Sequence, residues 1–253
     1  MKWELSHNGD GCHWLKIEAE WSELAADYDD IVAGFAKVLI PGFRPGKVPR
    51  SVIEQRFQRE LVKDLSRRAA QRLGREAVRE AGVESLGPVE ATDIECEKGK
   101  PFRFTAHYHP MPKIELPDYG LLKTGDDSAD PRDHVSRKLL DLVRFDIPDE
   151  IVKTELDSDG TAGSDQSTVE WQSAAERIRL MLILKKIART EGIEVDETDV
   201  ERRIGEKAVE FGARPDTLRA ELEKGGGLQR LRDMLLAEST LDYLLEINKR
   251  RTV

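Results

Sequence analysis

The residues of this sequence whose types and spacing could do chemistry lie close together, in the stretch PGFRPGKVPR at residues 41–50. Three prolines and two glycines surround Phe43 there, and Arg44, Lys47 and Arg50 supply three positive charges. An aromatic ring beside an arginine, presented on a stiff loop, has the composition of a binding hot spot. These residue types indicate that the loop binds a partner, with the aromatic ring entering an apolar crevice and the cations contacting anionic groups around it.

Other patterns fall short of a catalytic or metal site. GFRPGKV resembles a phosphate-binding loop only superficially, because three residues rather than four separate its glycines and Val48 follows the lysine. His107 and His109 alternate on a predicted strand and so share one face, where a metal site is imaginable, but a solvated polar face is the favoured interpretation. We therefore predict no catalytic residue, no metal site and no cofactor.

The charge around the loop has two interpretations. Residues 43–79 contain eleven Lys or Arg and four Asp or Glu, a net charge of +7 in a chain whose total is −9. They could form a solvated helix face with partial i,i+4 pairing, such as Arg56 with Glu60, or a docking element for an anionic surface such as RNA or a ribonucleoprotein. Phe43 favours docking, with a supporting basic surface at Arg50, Arg56 and Arg59.

The first half of the sequence predicts the elements that must position this loop. Residues 2–20 predict two strands joined by a turn, and Ser22 is predicted to open a helix that ends before Pro41. Apolar residues at steps of four predict one long helix over 51–81, begun by a Ser51–Glu54 capping box and ended at Gly82. Strands are predicted at 88–97 and 101–109. Residues 1–117 are therefore expected to form an α+β domain.

The second half predicts helices only. Residues 118–131, rich in Pro, Gly and Asp, are predicted to be a linker, and 132–253 an elongated all-α domain. Helices are predicted at 132–145 and 149–156, and a strongly apolar one ends at Gly192. Asp196 is predicted to cap the next helix, which places Val200, Ile204, Ala208 and Phe211 on one face. Pro215 starts a short helix, and a leucine-striped helix follows residues 225–227.

Composition sets the class of protein. Charged residues make up 35% of the 253 residues, and the total of −9 disfavours a nucleic-acid binder as a whole. The first residues, MKWELSHNGDG, lack the apolar region of a secretory signal, and no stretch reaches the roughly 18 apolar residues of a membrane span. We expect a cytoplasmic protein that does not contact membranes.

The loop also carries a family resemblance. Residues 42–49, GFRPGKVP, resemble G-F-R-x-G-K-x-P, the ribosome-docking signature of bacterial trigger factor. The hairpin, the helices on either side of the loop and the stretch FRFTAHYHPMPKIELPDYGLL are similar to that family's N-terminal domain. The second half is similar to its helical C-terminal chaperone domain, so the resemblance covers nearly the whole chain.

The resemblance implies an ATP-independent chaperone at the nascent-chain exit of the large ribosomal subunit. Its partners would be a ribosomal protein, rRNA, and unfolded or nascent polypeptides, and free relatives can form homodimers. The implied docking residues are Gly42, Phe43, Arg44, Pro45, Gly46 and Lys47.

This chain departs from the family pattern in three places. Residues 118–131 stand where the family has an FKBP-like prolyl isomerase domain, so no enzyme activity is implied. The segment 157–171 is shorter than in the family, and Pro45 replaces a lysine that many relatives carry. Three alternatives stay open: a chaperone or assembly factor that works away from the ribosome, a prolyl isomerase, and an RNA-binding regulator.

Overall fold

A computed structural model describes residues 1–7, 12–44, 46–122, 130–158, 160, 165–224 and 226–251. The chain divides into two compact units, Met1–Pro112 and Lys113–Val253. The first combines a small antiparallel sheet with helices and the second is helical, which confirms the predicted fold classes. The division lies N-terminal of the boundary predicted at 117, and the domain limits 1–117, 118–131 and 132–253 stay a prediction.

A four-stranded antiparallel sheet forms one layer of the first unit. Its strands are β1 (Lys2–His7), β2 (His13–Ala19), β3 (Ser85–Glu95) and β4 (Phe102–Pro110), in the spatial order β1-β2-β4-β3. The first two strands form the predicted hairpin, whose connection at 8–11 lies outside the described residues. Alternate residues of β2 and β4, such as Leu15 and Phe104, are buried on one face. This face needs a second layer to cover it.

Two helices supply that layer. Helix α1 (Trp21–Phe35) packs on α3 (Gln58–Glu80) and, with the sheet, forms one apolar core. The predicted start of α1 at Ser22 is wrong, because Glu20 and Glu23 form the capping box and the helix begins at Trp21. Just after the C-terminal end of α3, Gly82 has φ +68° and the Val83 N–H donates to the Val78 carbonyl (3.2 Å). This bonding is the Schellman pattern, which confirms the predicted C-cap.

The single helix predicted over 51–81 is two helices. Helix α2 (Arg50–Arg56) ends at Phe57, whose φ of −114° and ψ of 25° leave the helical region, before α3 begins. The Phe57 ring lies 5.2 Å from the ring of Phe35 at the end of α1. Apolar residues at steps of four continue across this break, because Ile53 and Leu61 are buried on either side of it. Periodicity alone therefore could not reveal the break.

The predicted Ser51–Glu54 capping box is also wrong. The residue before α2 is Pro49, and no side chain caps the helix. Glu54 instead accepts hydrogen bonds from Arg50 (2.8 Å) and Lys98 (2.8 Å). Because the Glu54 carboxylate binds these two cations, it does not form the capping bond that the local motif predicts.

The helical unit contains a 3₁₀ turn and six described helices. They are Tyr119–Leu121, α4 (Pro131–Leu142), α5 (Asp149–Ser158), α6 (Val169–Glu191), α7 (Glu197–Glu210), α8 (Pro215–Lys224) and α9 (Gly227–Arg251). The caps predicted at Asp196 and Gly192 are confirmed: the Asp196 carboxylate accepts the Asp199 N–H, and Gly192 is left-handed with φ +68°. Part of the predicted linker, 123–129, lies outside the described residues.

Three apolar clusters hold the helical unit together. One joins α4, α6 and α9 with the segment 114–122, a second joins α5 to the start of α6, and a third joins α7, α8 and α9. The prediction that Phe211 shares the buried face of α7 is wrong, because its side chain is 66% exposed. The helix ends at Glu210 and the chain turns at Gly212 (φ +62°), so Phe211 leaves that face.

Candidate functional site

The loop singled out in the sequence leaves the core and returns to it within a few residues. Ile40 and Val48 are buried, with exposed fractions of 2% and 8%, and both belong to the core of the first unit. Every described residue between them is exposed. The loop is therefore anchored at both ends, and the described residues 41–44, 46 and 47 form its surface segment.

Two successive turns shape this segment. In the first, the Phe43 N–H donates to the Ile40 carbonyl (3.0 Å), and Gly42 has φ +88°. Proline in the second position and a left-handed glycine in the third define a type II turn. In the second turn, the Lys47 N–H donates to the Arg44 carbonyl (2.9 Å), and Gly46 has φ +79°.

The second turn is also tied to α1. The Gly46 N–H donates to the Ala36 carbonyl (2.8 Å), at the C-terminal cap of that helix. Pro45, one of the three prolines of the loop that the sequence predicts to be stiff, lies outside the described residues. The glycines and these backbone bonds hold the tip in a defined conformation.

The predicted recognition residues lie on this surface. Phe43 is 38% exposed, and Arg44 and Lys47 are exposed with no carboxylate partner among the described residues. Val38 (45% exposed) and Leu39 (77% exposed) lie just before the loop. The sequence analysis missed these two residues, although two apolar residues before a Pro-Gly turn were a readable signal. The site thus combines exposed apolar side chains with unpaired cations.

The basic surface continues onto the helices that follow the loop. Arg56, Arg59 and Lys63 are exposed, and none of them has an ion-pair partner in the part of the chain that the structure describes. Arg59 and Lys63 lie four positions apart on one face of α3, and Arg56 is the last residue of α2, just before the break at Phe57. The pairing of Arg56 with Glu60 that the sequence suggested is not observed.

Farther along α3, three of the cations are paired. Arg68 and Arg72 both contact Asp27 of α1, at 3.6 and 2.9 Å, and Arg67 contacts Asp64 at 3.4 Å. Only part of the net positive charge read from the sequence is therefore neutralised here, because Arg75 and Arg79 near the end of α3 are exposed and make no ion pair within the described residues.

Arg50 differs from its predicted basic neighbours. Its guanidinium contacts Asp29 (2.7 Å) and Glu54 (2.8 Å), and its Cζ lies 5.6 Å from the centre of the Tyr28 ring. Lys98 shares the same carboxylate, and its Nζ lies 5.2 Å from the Tyr28 ring centre. Hydrogen bonds from Lys98 and Arg50 lower the pKa of Glu54, and those to Glu54 and Asp29 raise the pKa of Arg50. Sequence reasoning missed Lys98 because it is distant along the chain.

The residues that the structure describes contain no candidate metal site. His107 Nε2 lies 2.8 Å from the Thr92 hydroxyl, and no group of three or more His, Cys, Asp or Glu among the described residues could hold a metal. None of the described helices is both long and apolar enough to cross a membrane. The loop and its basic extension are therefore the candidate site.

Family models match both halves of this chain. Residues 1–139 match the model described as bacterial trigger factor protein, and residues 165–246 match the model of its C-terminus. This chain belongs to the trigger factor family. The matched N-terminal segment contains the loop, so the GFRPGKVP stretch lies within a trigger factor N-terminal sequence.

Individual relatives agree with this assignment. Trigger factor from Rhodococcus erythropolis is 31% identical over 166 residues, which are 64% of this chain and 36% of the relative. Trigger factors from Thermus thermophilus (38% identical) and Mycobacterium avium (35%) match 42% and 57% of this chain, and 26% and 28% of their own lengths. The matched part therefore spans roughly a quarter to a third of each of these curated relatives.

A solved structure has the same fold. It is described as a trigger factor chaperone with promiscuous substrate recognition in folding and assembly, and it aligns with a TM-score of 0.53 at 13% identity. The alignment covers 97% of this chain and 99% of the solved chain. At this identity the likeness supports the fold of this chain.

Proposed function

We propose that this chain is an ATP-independent molecular chaperone that docks on the large ribosomal subunit near the nascent-chain exit and shields apolar segments of new or unfolded proteins. The observation that carries the proposal is the loop at 41–47, in a chain of the trigger factor family. It displays Phe43, Arg44 and Lys47 on two hydrogen-bonded turns between buried anchors.

The proposed contact follows from these side chains. Phe43 enters an apolar crevice of a ribosomal protein, and Arg44 and Lys47 meet an acidic side chain or an rRNA phosphate at its rim. Because the turns already fix the backbone, docking loses less conformational entropy than ordering a flexible loop would. Gly42 and Gly46 contribute by adopting the left-handed backbone conformations of the two turns. We include Pro45 among the docking residues because it belongs to the stretch that resembles the family signature.

The basic surface assists the encounter. Arg56 and Arg59 have no ion-pair partner within the described residues, so they attract a polyanion over a distance that salt shortens. Arg50 belongs to the same sequence prediction, but its charge is balanced by Asp29 and Glu54. Of the three predicted basic residues, Arg56 and Arg59 are therefore the ones proposed to steer the encounter.

The helical unit is the proposed client-binding part. Among the residues that the structure describes, its large exposed apolar side chains are Leu142, Val169, Val209 and Phe211, with exposed fractions from 56% to 85%. Separate apolar positions in a charged surface favour weak contacts with many unfolded sequences, and such contacts can release without nucleotide. We propose that this activity takes place in the cytoplasm and that the protein can form a homodimer when it is free of the ribosome.

Co-sedimentation with ribosomes tests the docking proposal. We expect Phe43→Ala and Arg44→Ala each to weaken binding by roughly tenfold or more, since central hot-spot residues contribute about 2 kcal/mol or more. Phe211→Ala, an exposed phenylalanine outside the loop, and Arg67→Ala, a cation already paired on α3, are matched controls expected to bind like the parent.

The outcomes separate the competing functions. If the parent chain does not bind ribosomes, or if the loop variants bind as well as it does, docking through this loop is wrong. Chaperone activity without ribosome binding would instead support a ribosome-independent chaperone or assembly factor with the same fold.

A further inference from the structure

We infer that Tyr28, Arg50, Glu54 and Lys98, here called the Tyr28 cluster, position the docking loop, and that Arg50 acts as a positioning residue rather than as a ribosome contact. This inference rests on the proposed docking function. It assigns to Arg50 a different task from that of Arg44, Lys47, Arg56 and Arg59.

The cluster joins three elements around one ring. Tyr28 belongs to α1, before the loop, and Arg50 and Glu54 belong to α2, after it, whereas Lys98 lies in the connection between β3 and β4. The Glu54 carboxylate accepts from Arg50 at one oxygen and from Lys98 at the other, both at 2.8 Å. The two cations lie 5.6 and 5.2 Å from the centre of the ring of Tyr28, which is 5% exposed. These contacts fix α2 relative to both α1 and the sheet.

Helix α2 needs such contacts because its apolar anchorage in the core is limited to Ile53 and the partly buried Val52. It is seven residues long, its N-terminus has no side-chain cap, and the break at Phe57 separates it from α3. Helices this short are unstable without tertiary packing. Ile53 is its fully buried side chain, and the cluster supplies the polar contacts at the end nearest the loop. Only Pro49 separates Arg50 from the buried anchor Val48, so a movement of α2 passes directly to the loop.

The charges argue against a direct contact by Arg50. To meet a ribosomal anion, its guanidinium would have to leave Asp29 and Glu54, to which it is already bonded at 2.7 and 2.8 Å. Arg56 and Arg59 have no such bonds within the described residues, so they can neutralise phosphates at no comparable cost. A cation that binds phosphate contributes about one unit to the salt slope of binding, whereas a positioning residue contributes none.

Glu54→Gln and Lys98→Met test the inference in the full chain. Matched controls are Glu60→Gln, an exposed carboxylate on α3, and Lys100→Met, a cation of the same β3–β4 connection that pairs with Glu97. Amide hydrogen exchange at Phe43, Gly46 and Lys47, whose N–H groups make the turn bonds, reports loop order without ribosomes. We expect exchange there to accelerate roughly threefold or more in the two cluster variants, because local opening becomes easier, and to stay unchanged in the controls.

Ribosome affinity at several salt concentrations gives the second measurement. Glu54→Gln and Lys98→Met should weaken binding by roughly threefold to tenfold with an unchanged slope of log K against log[salt], and Lys98→Arg should restore affinity. Arg50→Met should do the same, whereas Arg59→Ala should lower the slope by about one unit. The double variant Arg50→Met with Glu54→Gln should bind about as well as either single variant, because both remove one set of contacts.

Several outcomes would overturn the inference. Unchanged exchange in both cluster variants would show that the cluster does not order the loop. A lower salt slope in Arg50→Met would show that Arg50 contacts an anion directly. If the parent itself does not bind ribosomes, the proposed function fails, and the exchange measurement still decides whether the cluster orders the loop. If Glu54→Gln prevents folding, hydrogen exchange and ribosome affinity are measured on Lys98→Met and on Lys98→Arg instead.

Discussion

Single residues decide the conformation of the docking loop, and glycine 42 is the clearest case. Its φ of +88° lies in the left-handed region, which residues with a Cβ rarely adopt. A Cβ built at this position would meet nothing within 4 Å. The requirement for glycine is therefore one of backbone conformation and not of space.

Gly42→Ala should consequently destabilise the first unit by about 1 kcal/mol and weaken ribosome docking. Gly34→Ala in α1 is the matched control, because that glycine is helical and also has open space around its Cβ. The control should be neutral or stabilising by up to about 1 kcal/mol, since alanine favours helix. Urea unfolding of the two variants measures both effects, and an equal change in both would contradict the conformational argument.

The residues that the sequence predicted correctly are those with local causes. Asp196, Gly82 and Gly192 satisfy backbone groups within a few positions of themselves, so their roles were readable from neighbouring residues. Glu54 also had a local motif, but Lys98, which lies far away in sequence, bonds to its carboxylate. The role of the Tyr28 cluster could not be predicted because strand pairing brings Lys98 to α2.

At the scale of elements, the segment after the sheet has a larger role than a linker. Ile114, Leu116 and Tyr119 pack against the core of α4, α6 and α9. The Asn248 side chain, 2% exposed, donates to the Tyr119 carbonyl (3.2 Å). Tyr119, in the predicted linker 118–131, therefore belongs to the helical unit, and so do Ile114 and Leu116, which the prediction placed at the end of the first domain.

Tyr119 makes this attachment sensitive to alkaline pH. Burial, together with the hydrogen bond that its hydroxyl donates to Glu191 (2.5 Å), raises its pKa to about 12. The ordinary value is about 10. Because the folded pKa is the higher one, the contribution of this hydroxyl to stability is fully present below pH 10 and is lost as the pH rises toward 12.

Tyr119→Phe should therefore lower the free energy of unfolding of the helical unit by about 1 kcal/mol at pH 8, the cost of a lost hydrogen bond. The difference between the parent and the variant should shrink as the pH rises from 10 to 12. Denaturant unfolding at a series of pH values measures it, and a difference that stays constant to pH 12 would contradict the assigned role of Tyr119.

Element boundaries were harder to predict than element types. The break at Phe57 lies within an unbroken apolar stripe, and it arises where the Phe57 ring packs on Phe35 of another helix. Phe211 continued the stripe of α7 in sequence but lies beyond the end of the helix. In both places the apolar pattern continued while the backbone left the helix, so the pattern predicted helices of the right kind with the wrong limits.

For the whole molecule, the distribution of surface properties separates the two proposed tasks. Both units carry exposed apolar side chains, but the cationic loop belongs to the first unit, and the helical unit holds Val209 and Phe211, which are 85% and 66% exposed. Docking and client binding should therefore respond to different substitutions. We expect substitutions in the loop to weaken ribosome docking without affecting client binding, and substitutions in the helical unit to do the reverse.

Aggregation of a chemically unfolded client protein, followed by light scattering, tests this separation. The parent chain should delay aggregation without nucleotide, and added ATP should not change the delay, since apolar contacts in a charged surface need no chemical step. Val209→Ser with Phe211→Ser should shorten the delay by roughly twofold or more, because two of the most exposed apolar side chains are lost. Phe43→Ala should protect the client as well as the parent does, while binding ribosomes weakly.

The same preparations distinguish the enzyme alternative from a chaperone without catalysis. In a proline-peptide assay we expect the uncatalysed rate, because the family models match residues 1–139 and 165–246 as trigger factor N- and C-terminal sequence, and we propose binding alone for both parts. Uncatalysed isomerisation takes tens of seconds or more at 25 °C, so even modest catalysis would be visible. Acceleration that survives Val209→Ser with Phe211→Ser would contradict the assignment, because it would place an isomerase activity in a part of the chain for which we propose binding alone.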